Sequence, residues 1–263
     1  MRLGVSTACL YPDLLEHSLD LLIEQGFKLF EVFVNTFSEL QPEYLDDLHA
    51  RVQKAGAEIC SLHPFTSAFE VTLFFSEYER RTQDGLKFYR QYFETANRLG
   101  ASILVLHGQR NYRAGRITEE KYLENYHRLF RLGQEYGVTV AQENVVQFRS
   151  EQSAFIRRMR KELGKECAFV LDLKQAIRAG ENPMQMLEEM GERLVHVHLN
   201  DHTSEKDCLL PGSGSFDFSA LAKRLEEMKY SGNGVIEVYR DNFGKPEELV
   251  QAYRFLSGIF SQK

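Results

Sequence analysis

The sequence predicts an α/β protein built as a single (β/α)8 TIM barrel over residues 1–263. Short apolar segments alternate with amphipathic segments eight times, an order typical of a parallel sheet with covering helices. Eight such units in a chain of this length most simply close into a barrel. The alternative is an open, doubly wound sheet. Ser6-Thr7-Ala8-Cys9 stands at the end of the first strand, where an open sheet of this kind would have a Gly-rich phosphate loop, and this favours the barrel.

The first half of the chain contains four strand–helix units. The predicted strands are 2–9, 29–35, 58–65 and 103–108, and the predicted helices are 12–25, 42–54, 77–99 and 119–136. Pro42 stands in the first turn of the second helix and Gly56 follows its end, positions that these residue types favour. The stretch 66–76 is expected to be irregular and to lie at the carboxyl end of the barrel, where active sites of such barrels lie.

The second half repeats the pattern. The predicted strands are 139–145, 168–173, 194–201 and 234–240, and the predicted helices are 151–163, a short one through 179, 183–190, 217–228 and 246–260. A second long irregular stretch, 202–215, follows the seventh strand and is expected on the same face as 66–76. The chain contains no linker or low-complexity segment that would divide it into domains.

The composition and net charge limit the classes of function that the protein can have. The chain is 43% hydrophobic, enough for one large core, and its net charge of −6 argues against a nucleic-acid partner, which would normally meet a basic face. The N-terminus lacks the apolar core of a signal peptide, and no apolar run is long enough to cross a bilayer. The four cysteines are scattered without C-x-x-C spacing, so we expect reduced, buried thiols in a cytoplasmic protein.

The seventh strand carries two histidines among apolar residues. His196 and His198 alternate with Val195, Val197 and Leu199, and a strand alternates faces with period two, so both imidazoles lie on one side. Strands covered on both faces are usually apolar throughout. These imidazoles therefore need polar partners inside the barrel.

Three other apolar strands each carry a carboxylate near the carboxyl end, namely Glu143, Asp172 and Glu237. A buried carboxylate is costly unless it is paired, protonated or bound to a metal. Taken singly, each has an ordinary explanation as a salt-bridged or core residue. With His198 they mark four consecutive strands, and three carboxylates with one imidazole suit one divalent ion such as Mn²⁺, Co²⁺, Mg²⁺ or Zn²⁺.

Five motifs occur in a characteristic order: "QENV", "LDLKQAIRAGENP", "HVHLND", "LPGSG" and "VIEVY". On these the chain resembles the xylose-isomerase-like TIM barrel superfamily, in its sugar (phosphate) isomerase and epimerase branch, which is related to endonuclease IV. The resemblance covers nearly the whole chain. It implies that the family's four metal ligands fall on Glu143, Asp172, His198 and Glu237.

The chain departs from the family pattern in places. Gln175 stands where the family usually has a histidine, and Gly212-Ser213-Gly214 replaces the usual Gly-Glu-Gly turn. The Asp-x-His pair that binds additional zinc in endonuclease IV would fall on Lys206 and Cys208, so it is absent.

Two further histidines match zinc-binding positions of endonuclease IV, His63 in "SLHPF" and His107 in "LVLHG". This match makes a second metal ion near His63 and His107 one of two possible interpretations. The alternative role is to donate hydrogen bonds to a substrate or to Glu143.

The resemblance implies a divalent-metal-dependent sugar isomerase or epimerase that acts on a ketose or keto-polyol. A proton leaves the carbon next to the carbonyl group, and the metal stabilises the enediolate. Glu143 and Glu237 are the expected acid–base residues. The candidate substrate-binding residues are His63, His107, Lys174, Gln175, Asn200 and Arg240.

Other functions stay open. A keto-polyol dehydratase or lyase would use the same enolate chemistry, and an endonuclease IV-like phosphodiesterase would need several zinc ions and a basic groove. Gln175 and Ser213 also permit a non-catalytic sugar-binding barrel. The expected partner is a small sugar or polyol, with no nucleic acid and no membrane. A homo-oligomeric state is left open.

Overall fold

A computed structural model describes residues 1–111 and 117–260. In these ranges eight parallel strands pair in sequence order, and the eighth pairs with the first to close the barrel. This confirms the predicted (β/α)8 barrel and excludes the open sheet.

The strands and helices of the described residues are numbered in chain order. The strands β1 to β8 are Arg2–Ser6, Leu29–Phe33, Glu58–His63, Ile103–Leu106, Thr139–Glu143, Phe169–Asp172, Leu194–Leu199 and Asn233–Ile236. The helices α1 to α10 are Leu15–Glu24, Pro42–Lys54, Ser67–Leu73, Glu79–Leu99, Glu119–Glu135, Ser153–Leu163, Leu173–Arg178, Pro183–Met190, Phe218–Glu227 and Glu247–Phe260.

Helix α4 shows how the sequence builds the outer layer. Tyr89, Phe93 and Ala96 are fully buried on the face that packs toward the barrel. The helix ends at Gly100, whose φ of +76° is a left-handed conformation that glycine adopts without a steric penalty. The same arrangement of apolar stripe and terminal glycine recurs along the chain and gives the predicted helices their limits.

The segment 66–76 differs from the prediction, because it contains helix α3 where an irregular stretch was expected. A buried carboxylate holds this helix against the barrel. Glu70 accepts hydrogen bonds from the backbone N–H groups of His107, at 3.0 Å, and Gly108, at 2.7 Å, and its other oxygen accepts one from the Tyr89 hydroxyl at 2.8 Å. These contacts come from the two residues directly after β4 and from α4, so the local sequence of α3 does not reveal them.

Several strands end earlier than predicted. The clearest case is β8, which ends at Ile236 where 240 was expected, so Glu237 follows the strand directly. The chain then leaves the sheet, although the N–H of Glu237 still bonds to the Leu199 carbonyl at 3.2 Å. Apolar residues beyond a strand end continue the hydrophobic pattern, and the pattern alone therefore extends the predicted strands too far.

The irregular stretch 202–215 is confirmed, and one carboxylate closes it. Asp201 Oδ2 accepts the N–H groups of Gly212 and Gly214 at 3.0 and 2.9 Å, while Oδ1 accepts those of His202 and Phe216 at 2.8 and 3.0 Å. A Cβ at position 214 would lie 2.4 Å from Asp201 Oδ1, so only glycine permits this close approach.

Two compositional predictions can be compared with the structure. Cys9, Cys60, Cys167 and Cys208 are all free and buried, as expected. Across residues 1–111 and 117–260, no helix combines the length and apolar character needed to cross a membrane.

Candidate metal centre

Acidic and imidazole side chains gather inside the barrel near the carboxyl ends of its strands. Parallel strands of a barrel all present their carboxyl ends on one face, so residues distant in sequence meet there. Seven strands contribute such residues, within the strand or directly after it, and β7 contributes two: Glu31, His63, His107, Glu143, Asp172, His196, His198 and Glu237.

The four predicted metal ligands come together around His198. Its Nδ1 atom lies 3.4 Å from Glu143 Oε1, 3.6 Å from Asp172 Oδ2 and 3.2 Å from Glu237 Oε2. Metal–ligand bonds of about 2.0–2.2 Å in a tetrahedral arrangement would separate neighbouring ligand atoms by about 3.3–3.6 Å. His198 Nδ1 is buried and has no hydrogen-bond partner among the described residues. The donor set therefore fits a divalent ion.

A buried carboxylate on β2 sets the orientation of the β7 histidines. Glu31 Oε2 lies 3.2 Å from Nε2 of both His196 and His198, and it accepts a hydrogen bond from the Ser61 hydroxyl at 2.9 Å. This confirms that the two imidazoles share a face. Burial lowers the pKa of His198, but Glu237 and Glu31 raise it well above its ordinary value, so the metal-free imidazole is protonated. If a metal replaces the proton on Nδ1 while the proton on Nε2 stays donated to Glu31, the Nδ1 lone pair becomes available to that metal.

Sequence reasoning missed Glu31, although a usable signal was present. The strand "LFEVF" is apolar except for this one carboxylate. The same signal identified Glu143, Asp172 and Glu237. Glu70 was missed for a different reason, because it lies in a segment that was expected to be irregular.

His63 and His107 lie beside Oε2 of Glu143, while its other oxygen, Oε1, faces His198. His107 Nε2 is 2.9 Å from Glu143 Oε2 and 3.0 Å from His63 Nε2, and His63 Nε2 is 3.8 Å from the same carboxylate oxygen. Each of the three offers an atom within 4.8 Å of the others, so they could hold a second cation. They could equally donate protons toward a molecule bound at Glu143.

Lys174 enters the predicted metal site itself. Its ammonium group is buried, contacts Asp172 Oδ2 and lies 2.5 Å from Glu237 Oε2. These are the same two oxygens that face His198 Nδ1. Lys174 was predicted to contact substrate, and the structure places it among the predicted ligands.

Asn200 and Gln175 support Asp172 from two sides. Asn200 Nδ2 donates to Asp172 Oδ1 at 3.1 Å, and the backbone N–H of Gln175 donates to the same oxygen at 3.2 Å. The side-chain oxygen of Gln175 accepts the N–H of Val146 at 3.1 Å. Gln175 thus ties the segment after β5 to the start of α7.

Arg240 lies in a different environment. Its guanidinium donates to the carbonyl oxygens of Phe243 and Gly244 at 2.9 and 3.2 Å and stacks over the Phe243 ring. None of these contacts involves the four predicted metal ligands. The structure therefore groups five of the six candidates with those ligands and does not group Arg240 with them. The five are His63, His107, Lys174, Asn200 and, through its backbone N–H, Gln175.

Opposite charges determine the protonation states of the site. Burial raises the pKa of Glu143, but the imidazoles of His107, His198 and His63 lower it well below its ordinary value. Burial likewise raises the pKa of Glu237, and His198 and then Lys174 lower it strongly. Both carboxylates are therefore ionised at neutral pH.

In the neighbouring pair Asp172 and Lys174, both pKa values are raised. Burial raises the pKa of Asp172, and the nearby ammonium of Lys174 only partly opposes this effect. Burial by itself lowers the pKa of Lys174, but Asp172 and Glu237 raise it well above its ordinary value. Lys174 is therefore a cation at neutral pH.

The fold and the site define a (β/α)8 barrel that collects carboxylate and imidazole donors at the carboxyl ends of its strands. The family model for the xylose isomerase-like TIM barrel matches residues 19–258. The chain belongs to this family.

Two relatives show the range of the similarity. An uncharacterized protein of Methanocaldococcus jannaschii is 24% identical over 96% of this chain and 89% of its own length. An inosose dehydratase of Clostridium botulinum (strain Alaska E43) is 22% identical over 78% of each chain.

Solved structures share the fold at low sequence identity. D-psicose 3-epimerase from Clostridium cellulolyticum H10, solved with D-tagatose, superposes with a TM-score of 0.82 at 14% identity and covers 99% of both chains. The IOLI protein, solved with a bound zinc atom, gives a TM-score of 0.79 at 20% identity and covers 100% of both chains.

Proposed function

We propose that the protein is a divalent-metal-dependent sugar isomerase or epimerase that acts on a ketose or keto-polyol. The observation that carries the proposal is the pair Glu143 and Glu237. They come from β5 and from the end of β8, and their ligand oxygens lie within 4.8 Å of each other and of His198 and Asp172. Two carboxylates at one centre can remove and return a proton at a sugar carbon that lies between them.

The expected cofactor is one divalent ion held by Glu143, Asp172, His198 and Glu237. When bound, it would supply positive charge that stabilises the negative charge developing on substrate oxygens next to the deprotonated carbon. The donors suit Mn²⁺, Co²⁺, Mg²⁺ or Zn²⁺. The zinc atom in the structurally similar IOLI protein supports a metal at this kind of site.

The protein's own groups supply the proton transfers. Glu143 is ionised and can accept a proton, and His107, 2.9 Å from its carboxylate, orients it. An isomerase needs one such base. An epimerase needs a second group on the opposite side of the carbon, and Glu237 is the candidate. The structural similarity to D-psicose 3-epimerase supports this second reaction.

A small sugar or polyol fits the proposal better than a nucleic acid. The endonuclease-type Asp-x-His positions are Lys206 and Cys208, and Asp207 between them forms a two-bond ion pair with Arg178, at 2.7 and 2.8 Å. The net charge of −6 also disfavours a nucleic-acid surface.

A keto-polyol dehydratase is the second candidate. Relatives described as inosose dehydratases favour it. The reaction would begin with the same proton removal and continue with loss of a hydroxyl group from the next carbon. His63 and His107 beside Glu143 could donate the proton that this leaving group requires.

The test is hydrogen exchange at the substrate carbon. The protein would be loaded with Mn²⁺, Co²⁺, Mg²⁺ or Zn²⁺ and incubated in D₂O with D-fructose, D-psicose, D-tagatose and an inosose, and NMR would follow deuterium incorporation and products. An epimer or isomer supports the first proposal, and a dehydrated product supports the second. Absence of exchange and product with every metal and sugar would refute both. Glu226→Gln, at an exposed position on α9, is the matched control for the Glu143→Gln and Glu237→Gln variants and should react as the wild type does.

A further inference from the structure

Lys174 is a buried cation placed where the metal ligands converge. Asp172 is the last residue of β6 and also caps α7, and Lys174 is the second residue of that helix. Lys174 follows Asp172 by only two residues, and its side chain points back into the barrel toward the Asp172 carboxylate. Its side chain is 3% exposed, and the ammonium group reaches across to Glu237, which lies just beyond β8.

The ammonium and a metal ion would share two oxygen atoms. Lys174 Nζ contacts Asp172 Oδ2 and Glu237 Oε2, and these oxygens lie 3.6 and 3.2 Å from the free Nδ1 of His198. A carboxylate oxygen has lone pairs for two partners. Nevertheless, an ammonium and a divalent ion on the same oxygens would stand only about 4 Å apart, where like charges in a buried site repel strongly.

We propose that Lys174 is a tethered counter-ion that competes with the divalent ion for Asp172 and Glu237. Without metal, it neutralises two carboxylates that would otherwise repel each other inside the barrel. With metal, it withdraws from the shared oxygens, so that metal binding is weakened and reversible. The inference rests on the proposed function in one respect, namely that a divalent ion binds at these ligands.

The structure also contains a place to which Lys174 can withdraw. The ring of Tyr239, a residue that is 48% exposed, lies 5.7 Å from the ammonium nitrogen. The same ring already carries the Arg178 guanidinium, which lies 5.2 Å from the ring centre and donates to the Tyr239 hydroxyl at 2.8 Å. An aromatic face stabilises a nearby cation. Movement of the ammonium toward Tyr239 would carry it away from Asp172 and Glu237 without breaking the helix that holds Lys174.

The first experiment compares metal affinities without any substrate. Isothermal titration with MnCl₂ and with ZnCl₂ would be run on the wild-type protein and on Lys174→Gln, Lys174→Arg and Lys206→Gln. We expect Lys174→Gln to bind metal at least tenfold more tightly than the wild type. Lys174→Arg keeps the charge and should stay within about threefold of the wild-type affinity, as should the control at exposed Lys206.

The outcomes separate this inference from the proposed function. If the wild type binds metal and Lys174→Gln binds with equal or lower affinity, the competition is refuted and the metal centre stands. If only Lys174→Gln binds, the competition is supported and the metal requirement of the wild-type protein is refuted. If neither binds, both proposals fail.

A second measurement uses the wild-type protein and does not depend on the folding of a variant. Lysines would be acetylated with acetic anhydride in chelator and in saturating Mn²⁺, and modification would be read by peptide mass spectrometry. Displacement predicts at least fivefold more acetylation of Lys174 with Mn²⁺, while exposed Lys206 is unchanged. Equal acetylation of Lys174 in both conditions would overturn the proposal.

Discussion

Nε2 of His198 lies 3.2 Å from Oε2 of Glu31, and both side chains are completely buried. Glu31 lies on β2, which is separated from β7 in the closed barrel by β8 and β1. When the imidazole gives up one proton, Glu31 favours keeping the proton on Nε2, so that the lone pair falls on Nδ1, which faces Glu143, Asp172 and Glu237. A carboxylate outside the four predicted ligands thus prepares the imidazole for metal binding.

Replacement of Glu31 should weaken metal binding. Glu31→Gln removes the charge that holds the Nε2 proton of His198, and loss of such a supporting partner typically lowers metal affinity about 10- to 100-fold. Titration with MnCl₂ measures the effect, with exposed Glu58→Gln at the start of β3 as the control. Equal affinities for Glu31→Gln and wild type would show that the carboxylate has no part in preparing His198.

Replacement of either proposed acid–base residue should reduce turnover. Glu143→Gln and Glu237→Gln each remove a proton acceptor, and loss of general acid–base catalysis commonly lowers kcat by about 10²–10⁴-fold. The measurement is kcat on the sugar identified by deuterium exchange, at metal concentrations that saturate each variant. Turnover at the wild-type rate in both variants would assign the proton transfer to other groups.

Added metal should stabilise the folded protein. An ion that binds only the folded state contributes about 2.7 kcal/mol when its concentration is one hundred times Kd. For a chain of this size, each kcal/mol raises Tm by roughly 2–4 °C. Differential scanning calorimetry with and without MnCl₂ tests this. A Tm that does not depend on Mn²⁺, Co²⁺ or Zn²⁺ would argue against a metal centre.

A methyl group at position 214 should destabilise the loop after β7. In Gly214→Ala the new Cβ would meet Asp201 Oδ1 and the His202 carbonyl, both at 2.4 Å, and overpacking of this kind costs about 1–3 kcal/mol. Gly258→Ala is the matched control, because a Cβ there meets nothing within 4 Å and alanine favours the helix. Urea denaturation should separate the two variants. Equal unfolding free energies would contradict the proposed close approach.

Residue patterns were sufficient to predict the barrel and all of its described helices except α3. Pro42–Lys54 and Pro183–Met190 have the predicted limits because proline and glycine define their ends locally. Helix α3 was missed because Glu70 is held by backbone groups directly after β4, a contact between distant parts of the chain.

The candidate site was predicted in outline and not in its contacts. Glu143, Asp172, His198 and Glu237 do meet at one place, since barrel topology brings the ends of consecutive strands together. The position of the Lys174 ammonium could not be foreseen. It depends on α7 beginning directly at Asp172, and a strand–helix boundary cannot be located that finely from periodicity.

Because hydrogen bonds to Asp201 hold the base of the loop after β7, the tip of that loop can be replaced by other sequences. The carboxylate bonds to N–H groups at 202, 212, 214 and 216, and the backbone of Asp201 pairs with that of Leu209 at 2.7 and 2.8 Å, so the loop is closed at its base around this one residue. Residues 203–206 lie beyond that closure and form a short turn in which the N–H of Thr203 bonds to the Lys206 carbonyl. Such a tip tolerates insertion and exchange. A protein engineer could graft new recognition segments there and leave the barrel unchanged.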